Sequence, residues 1–358
     1  MRTWHLVTGE YPPAPGGVSD YCQAVAEGLA AAGDVVHVWC PASGAAPPAF
    51  PNVVVHAEAG TWSASDLQRL DRELNRIQGV KRLLVQWVPH AYGHRSLNVG
   101  FCRWIRRRAK AGDVVDLMIH EPGMPFREGT LKHDAAAVVH RLMLALLLSH
   151  ASRVWVAIPA WTDALHPWTL GHAVNVAWLP IPSTIPVEAS AAEVYGFRMR
   201  TLVRADGVIV GHFSTYPPAI REALQNVLVP LLSIAPEMQV QLIGRGSDAF
   251  AAEVRSSAGI DANRINASGE LSASALSSHL QGCDCLLQPY PDGATSRRTT
   301  LMAALAHGVP VATTVGRLSE AFWQTSGAVV AVPADDHEAM RRAVLDLVRQ
   351  PDRRGSRA

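Results

Sequence analysis

Residues 285–311 read CLLQPYPDGATSRRTTLMAALAHGVPV and contain two short apolar stretches on either side of a loop and a helical stretch. The pattern predicts a buried strand over residues 285–288, a helix over 299–307 and a second strand over 310–313. A strand, a helix and a strand in this order form a unit in which the two strands lie parallel. The segment therefore predicts a parallel α/β sheet.

Similar alternations of strand and helix occur on both sides of a break marked by Pro180, Pro182 and Pro186. Alternation of this kind is typical of sheets with helices on both faces. We therefore predict an α/β protein with two Rossmann-like, doubly wound domains that face a central cleft. The predicted domains cover residues 1–185 and 206–335, with a linker over residues 186–205.

Composition excludes several classes of protein. The chain has 358 residues, 48% of them hydrophobic, which suits two domains with substantial cores. Its 32 basic and 31 acidic residues leave a net charge of +1, which argues against a nucleic-acid partner. No apolar run approaches the ~20 residues that span a bilayer, and the N-terminus lacks a signal-peptide pattern. The spacing of the five cysteines fits neither a zinc site nor a redox pair, so we expect a cytoplasmic protein with reduced thiols.

Candidate residues in the first half follow predicted strands. Gly16 and Gly17 lie between the first strand and a helix, where glycine lets the backbone approach a ligand and the helix N-terminus favours an anion. An ordinary tight turn also explains them, and the full dinucleotide fingerprint is absent, which disfavours NAD. His120 and Glu121 end one strand and His90 ends another. We predict catalytic roles for His120 and Glu121 and substrate contact for His90; the alternative is histidines without a catalytic role.

The loop over residues 289–300 is the most informative segment of the second half. Arg297 and Arg298 stand beside small and hydroxyl residues at a predicted helix N-terminus. Backbone N–H groups, the helix dipole and guanidinium groups together bind a diphosphate well, although a capped surface helix has a similar pattern. Arg245 lies between two glycines after another strand and is either a phosphate contact or an arginine in a flexible loop. The predicted substrate contacts of this half are Arg245, Gly293, Ser296, Arg297, Arg298, Thr299 and Thr300.

Four stretches resemble GT-B glycosyltransferases, in particular glycosyltransferase family 4. The Gly16–Gly17 loop is similar to the acceptor-side glycine loop of that family. Residues 268–271 (SGEL) and 283–289 (CDCLLQP) resemble a second conserved run, and residues 303–311 (AALAHGVPV) resemble the signature E-A-M-A-x-G-x-P-V. The resemblance implies transfer of a sugar from a nucleotide sugar with retention of configuration. It also implies acceptor contacts from the N-terminal domain and a C-terminal helix, residues 336–358, that packs back on that domain.

The chain departs from the family pattern at the family's two glutamates, which lie eight positions apart. The second falls on Ala303, and the first best matches Asp292, with three extra residues around 296–298. We therefore take Asp292 as a candidate catalytic residue.

The family's Arg and Lys pair for the diphosphate is not evident either. Its segment, residues 211–218, has no arginine or lysine, and no lysine follows Lys132. We retain Gly211 from this segment as a candidate substrate contact. The best replacements for the missing pair are Arg245, Arg297 and Arg298.

We predict a glycosyltransferase that needs no cofactor, since the nucleotide sugar is a substrate, and no metal, since no Asp-x-Asp occurs. The acceptor stays open. One alternative is a catalytically inactive GT-B protein that binds a sugar nucleotide or a partner enzyme, and another is a sugar-nucleotide epimerase. Residues 103–110 carry five basic residues with Trp104 and Ile105 between them, which favours peripheral contact with the inner face of a membrane or a solvated helix face.

Overall fold

The structure is a computed structural model that describes residues 1–126, 130–257 and 259–349. The chain divides between Pro180 and Ile181 into two units. Each unit contains one parallel sheet with helices packed against it. The prediction of two Rossmann-like α/β domains is confirmed.

The described residues of the first unit form seven strands and five α-helices. Its strands are β1 (Thr3–Val7), β2 (Val35–Trp39), β3 (Val53–His56), β4 (Arg82–Trp87), β5 (Val114–Ile119), β6 (Arg153–Val156) and β7 (Val176–Trp178). Its helices are α1 (Gly17–Ala31), α2 (Ala64–Arg76), α3 (Val99–Lys110), α4 (Leu131–Leu148) and α5 (Ala160–Leu165). The strands lie in the order β3-β2-β1-β4-β5-β6-β7.

The sequence of the central strands explains their position. Strand β4 reads RLLVQW, and every residue after Arg82 is buried. A strand that is apolar on both faces must be covered on both sides, and this is the pattern of a parallel sheet between two layers of helices. The carboxyl ends of all seven strands therefore meet at one edge, where the loops that precede the helices lie.

In the second unit, the part of the chain that the structure describes forms six strands and seven α-helices. Its strands are β8 (Val208–Phe213), β9 (Met238–Ile243), β10 (Ile265–Ala267), β11 (Cys285–Gln288), β12 (Val311–Val315) and β13 (Val330–Pro333). Its helices are α6 (Ala191–Thr201), α7 (Pro218–Ile234), α8 (Ser247–Arg255), α9 (Ala273–Gly282), α10 (Thr299–Ala306), α11 (Phe322–Thr325) and α12 (His337–Arg349). The strands lie in the order β10-β9-β8-β11-β12-β13, so the chain reverses its direction across the sheet between β8 and β11.

The predicted linker, residues 186–205, contains helix α6 instead. The helix begins with a capping box, in which Ser190 accepts a hydrogen bond from the backbone of Glu193 and the Glu193 carboxylate accepts one from the backbone of Ser190. It packs against α9, and Arg198 forms an ion pair of 3.1 Å with Asp284 at the start of β11. The segment is therefore part of the second unit, and its prolines mark irregular backbone before the helix.

The C-terminal helix packs within the second unit. Helix α12 packs against α7, β12 and β13, where Met340, Val344 and Leu347 are buried. Its apolar face is used there, and the expected packing of this helix on the N-terminal domain stays a prediction. Residues 350–358 of the predicted segment lie outside the described residues.

Two further sequence predictions concern cysteines and membranes. All five cysteines are buried free thiols. Within the described ranges, no helix is both long and apolar enough to cross a membrane.

Candidate functional site

The carboxyl edge of the second sheet carries the candidate donor site. In open parallel sheets, ligands bind beyond the carboxyl ends of the strands where the strand order reverses, which here is between β8 and β11. Gln288 ties these two strands together, because its side-chain Nε2 donates to the backbone carbonyl of Phe213 at 3.2 Å. The loop after β11 then leads into α10 at Thr299, so this edge holds a helix N-terminus.

Tyr290 anchors the first part of that loop. Its backbone N–H donates to Thr314 Oγ1 (2.8 Å), and its hydroxyl lies 2.8 Å from Thr300 Oγ1 on the first turn of α10. Burial raises the pKa of Tyr290 to about 12, so the hydroxyl stays neutral at physiological pH. Gly293 has a φ of +88°, and a Cβ there would lie 2.2 Å from the backbone N of Gly316. The predicted contacts Gly293 and Thr300 thus have defined roles in shaping the loop.

A buried carboxylate holds the second part of the loop. Glu320, which follows β12, is 7% exposed and accepts hydrogen bonds from the backbone N–H of Ser296 (2.9 Å) and from its hydroxyl. Its other oxygen accepts from Trp323 Nε1 at 2.6 Å. The predicted contact Ser296 is therefore fixed within the protein. Glu320 was missed by the sequence analysis because it lies 24 residues away and follows a different strand.

Arg298 is well placed to meet an anion. It is the residue before the first turn of α10, and its guanidinium lies over the ring of Tyr290, 4.8 Å from the ring centre. Stacking of this kind holds a guanidinium while leaving N–H groups free to donate. Its Nε is buried and has no hydrogen-bond partner among the residues that the structure describes. Arg297 and Thr299, on either side, are partly buried.

His212 near the end of β8 is a further residue that the sequence analysis missed. It is 1% exposed, and its Nδ1 donates to the backbone carbonyl of Leu287 at 2.7 Å. Nδ1 therefore carries the proton, and Nε2 is left as an acceptor without a partner in the described part of the chain. Burial lowers the pKa of His212 to about 4, so the ring is neutral near pH 7. Its role depends on the contact with Leu287 on the neighbouring strand β11, which residues 211–218 alone do not indicate.

Gly211 and Arg245 make other contacts than those predicted. Gly211 lies inside β8, where a Cβ would be 2.4 Å from Leu286 and 2.5 Å from Cys283, so close packing requires glycine. Arg245 follows β9 and pairs with Glu270 at 3.0 Å. Both side chains of this pair are exposed, so the pair is weak and a phosphate could replace the carboxylate. Ligand contact at these positions stays a prediction.

Asp292 and Ala303 stand where the family has its two glutamates. Asp292 Oδ1 lies 3.9 Å from Arg317 Nη2, and both side chains are largely exposed, so the carboxylate is accessible. Ala303 is fully buried in α10 and belongs to the core. A carboxylate at position 303 would therefore need a different packing of α10.

A cavity of about 300 Å³ beside the loop is a poor diphosphate site. It lies between α7, the residues after β11 and the start of α12. Its acidic lining residues, Glu222 and Asp335, outnumber its one titratable base, His337. Carboxylates repel a phosphate, so the diphosphate prediction depends on the arginine side of the loop.

In the first unit, His120 is buried directly after β5. It is 8% exposed, packs edge-on against Tyr21, and its backbone carbonyl accepts from Trp161 Nε1 at 3.0 Å. Its Nε2 lies 2.9 Å from Gln86 Oε1, so Nε2 carries the proton and Nδ1 is the acceptor. Burial lowers the pKa of His120 to about 4, which keeps the ring neutral and makes it a weak base. Glu121, which follows it, is partly exposed.

The glycine loop before α1 already contains an anion of the protein. A Cβ at Gly16 would lie 2.5 Å from the Glu10 carboxylate, which accepts the backbone N–H of Ser19 at 3.0 Å. Gly16 thus allows Glu10 to occupy the N-terminus of α1. Gly17 has open space where its Cβ would be, and His90 lies exposed in a short 3₁₀ turn after β4. Substrate contact at Gly16, Gly17 and His90 stays a prediction.

Helix α3 carries the basic stretch. Trp104 and Ile105, the apolar residues of the predicted peripheral membrane contact, are 3% and 1% exposed and belong to the core. Arg108 is also buried and donates to Asp113. Only charge then supports contact with a membrane, and that contact stays a prediction.

The residues that the structure describes contain no group of three or more His, Cys, Asp or Glu side chains that could hold a metal ion. The predictions of metal independence and of no cofactor are left as predictions.

The comparisons with known proteins agree with this fold. Residues 205–350 match the family described as Glycosyl transferases group 1. No curated protein matches the chain. The match covers the sheet edge and the loop that carry the candidate donor site.

Several solved structures are similar over the whole chain. A sucrose-phosphate synthase from Thermosynechococcus elongatus is 16% identical, with a TM-score of 0.70, over 99% of this chain and 91% of that one. HepE from Anabaena, in complex with UDP and glucose, is 14% identical, with a TM-score of 0.64, over 100% and 93%. WaaG, a glycosyltransferase involved in lipopolysaccharide biosynthesis, is 12% identical, with a TM-score of 0.61, over 99% and 92%. The chain therefore has the fold of GT-B glycosyltransferases, and residues 205–350 match the group 1 family, which confirms the resemblance found in the sequence.

Proposed function

We propose that the protein transfers a sugar from a nucleotide-sugar donor to an acceptor, and that its second unit binds the donor. The observation that carries the proposal is the loop between β11 and α10, where Arg298 stands at a helix N-terminus with a buried, unpartnered Nε. This loop lies at the strand-order reversal and inside the region that matches the glycosyltransferase family. HepE, which shares the fold, was solved with UDP and glucose, and this supports a nucleotide sugar as the donor.

The chemistry of transfer requires stabilisation of the leaving diphosphate. Arg297, Arg298 and the first N–H groups of α10 supply fixed positive charge to it, and this role needs no metal. Thr299 would add backbone and hydroxyl donors at the same helix end. We propose retention of configuration, as the family resemblance implies, with Asp292 as the accessible carboxylate nearest in sequence to the family's first glutamate.

The first unit would supply the acceptor contacts. We place Gly17, His120 and Glu121 among them, because all three follow strands at the carboxyl edge of the first sheet. His120 is neutral and fixed by Gln86, so its role is to position a hydroxyl group rather than to remove its proton.

The alternative is an inactive GT-B protein that binds a sugar nucleotide or a partner enzyme. The observation that favours it is Ala303, which is buried where the family has a glutamate. Binding without turnover is the result that this alternative predicts.

Calorimetric titration with UDP-, GDP-, ADP- and TDP-sugars, together with donor hydrolysis by the same purified protein, tests the proposal. The double variant Arg297→Ala/Arg298→Ala should bind the donor about 10- to 100-fold more weakly, because each charge-assisted hydrogen bond contributes roughly 1.5–3 kcal/mol. The control is Arg204→Ala, which removes an exposed arginine that is paired with Asp206 before β8. Unchanged donor affinity in the double variant contradicts the proposal that Arg297 and Arg298 bind the diphosphate. Tight binding with neither hydrolysis nor transfer favours the inactive alternative.

A further inference from the structure

A second pocket lies entirely within the first unit, at the carboxyl edge of its sheet. Its volume is about 820 Å³, which lies in the range of small-molecule sites. The first turns of α2 and α3 and the short turn over residues 93–97 form its walls. The pocket contains none of the residues that we assign to donor binding or to His120 and its neighbours.

The charge of the pocket is positive. Arg103 and Arg107 line it one helical turn apart on α3, and neither Asp nor Glu is among the lining residues. Arg107 pairs with Asp71 at 2.6 Å while its side chain stays 64% exposed, and Arg103 forms no ion pair in the described ranges. Two exposed guanidinium groups on one wall are suited to a phosphate, which they bind through charged hydrogen bonds.

The N-terminus of α3 adds donors on the same side. Asn98 caps the helix by accepting the backbone N–H of Phe101 at 2.8 Å, and Gly100 leaves the first turn without a side chain. The N-terminus of α2 contributes less, because the Asp66 carboxylate already accepts from the backbone N–H groups of Thr61 and Ser63.

Trp62 provides evidence for a ligand that is independent of the arginines and of the helix N-terminus. Trp62 lines the pocket, is 2% exposed, and its indole Nε1–H has no hydrogen-bond partner among the described residues. It also has a φ of +59°, which is unusual for a bulky side chain. Leu97, another lining residue, is 38% exposed and gives the pocket an apolar side.

From these features we propose that the pocket between α2 and α3 binds a phosphate-bearing organic molecule. Arg103, Arg107, the first turn of α3 and the indole N–H of Trp62 hold the phosphate, and Leu97 contacts the organic part. Such a phosphate is carried by a soluble phosphorylated metabolite or by a lipid headgroup. The proposal goes beyond donor binding and does not depend on it.

Inorganic pyrophosphate is the probe, titrated by calorimetry into the full chain carrying Arg297→Ala/Arg298→Ala, so that the donor loop does not contribute. Arg103→Gln/Arg107→Gln added to this background should weaken binding at least tenfold. The matched control is Arg76→Gln/Lys110→Gln, which removes two exposed charges at the C-terminal ends of α2 and α3 that do not line the pocket, and it should change affinity by less than twofold. Trp62→Phe, which keeps an aromatic ring without the N–H, should weaken binding several-fold.

Equal losses of affinity in Arg103→Gln/Arg107→Gln and in Arg76→Gln/Lys110→Gln would show that only the net charge of the protein matters, and this would overturn the site. No binding of pyrophosphate to the background protein would also overturn it. The source of the phosphate is tested with vesicles of phosphatidic acid and phosphatidylcholine. Sedimentation with phosphatidic acid that is lost in Arg103→Gln/Arg107→Gln and kept in the control supports a lipid headgroup. Pyrophosphate binding without sedimentation supports a soluble phosphate. Because pyrophosphate binding is measured after Arg297 and Arg298 have been replaced, a negative result here does not contradict the proposed donor site.

Discussion

Replacement of Glu320 is the sharpest test of how the donor loop is held. The two carboxylate oxygens accept three hydrogen bonds, two from Ser296 and one from Trp323, and all three partners are donors. In Glu320→Gln, the new NH₂ group must face one of these donors, so at least one buried N–H or O–H loses its acceptor. An unsatisfied buried donor costs about 1–3 kcal/mol. Glu320→Ala removes all three bonds and should cost about 3–5 kcal/mol.

Urea and thermal unfolding measure the stability, and calorimetric titration with the donor measures the affinity. For a unit of this size, each kcal/mol lowers the melting temperature by roughly 2–4 °C. The release of Ser296 also frees the arginines beside it, so we expect Glu320→Gln to bind the donor about tenfold more weakly, which equals ~1.4 kcal/mol. The control is Glu193→Gln on α6, which removes a carboxylate that accepts from the N–H and hydroxyl of Ser190 on the exposed surface. It should cost no more than about 1 kcal/mol and leave donor affinity unchanged.

Equal losses of stability in Glu320→Gln and Glu193→Gln would show that a buried carboxylate contributes no more to stability here than an exposed one, which contradicts the prediction. Loss of stability at Glu320 with unchanged donor affinity would show that the loop does not bind the donor through the residues that Glu320 holds.

Two further predictions concern buried histidines. We expect His120→Ala to lower turnover far more than the melting temperature; a large loss of stability with normal turnover per folded molecule would show a purely structural residue. Burial lowers the pKa of His5 to about 3 and the pKa values of His120 and His212 to about 4, from an ordinary 6.5. Below pH 6.5 the unfolded chain therefore binds protons that the folded chain excludes, so the free energy of unfolding should fall as pH decreases from 6.5 to 4, by up to ~1.4 kcal/mol per pH unit for each histidine. Urea unfolding at several pH values measures this slope, and a flat profile contradicts it.

The fold was predictable where each strand is apolar on both faces. Strand β4 (Arg82–Trp87) shows this, because it is apolar apart from Arg82 and Gln86 and every residue after Arg82 is buried. Helix α2 has local signals of its own, since Leu67, Leu70 and Leu74 repeat at helical spacing and Ser63 caps it with Asp66. The structure divides the chain between Pro180 and Ile181, within the break that the prolines mark, and the Ser190 capping box begins a helix inside the predicted linker.

The candidate site was predictable only where its signals are local. The small residues, hydroxyls and arginines before α10 indicate an anion site because they stand together in the sequence. Glu320 and His212 gave no such signal, since their roles depend on which strands lie side by side. The packing role of Gly211 gave no local signal either, because only the contact with Leu286 shows it, and substrate contact at Gly211 stays a prediction.

The extra residues in the donor loop explain how the site can lack the family's usual charges. The segment after β8 has no arginine or lysine, and no lysine follows Lys132. Relative to the family pattern, the added residues lie around 296–298, and the structure fixes both ends of this addition, Ser296 through Glu320 and Arg298 through Tyr290. We propose that Arg297 and Arg298 bring positive charge to the site from the N-terminus of α10 rather than from the end of β8. Because a helix N-terminus and arginine both favour a diphosphate, this arrangement would replace the family's Arg and Lys pair on the same sheet edge.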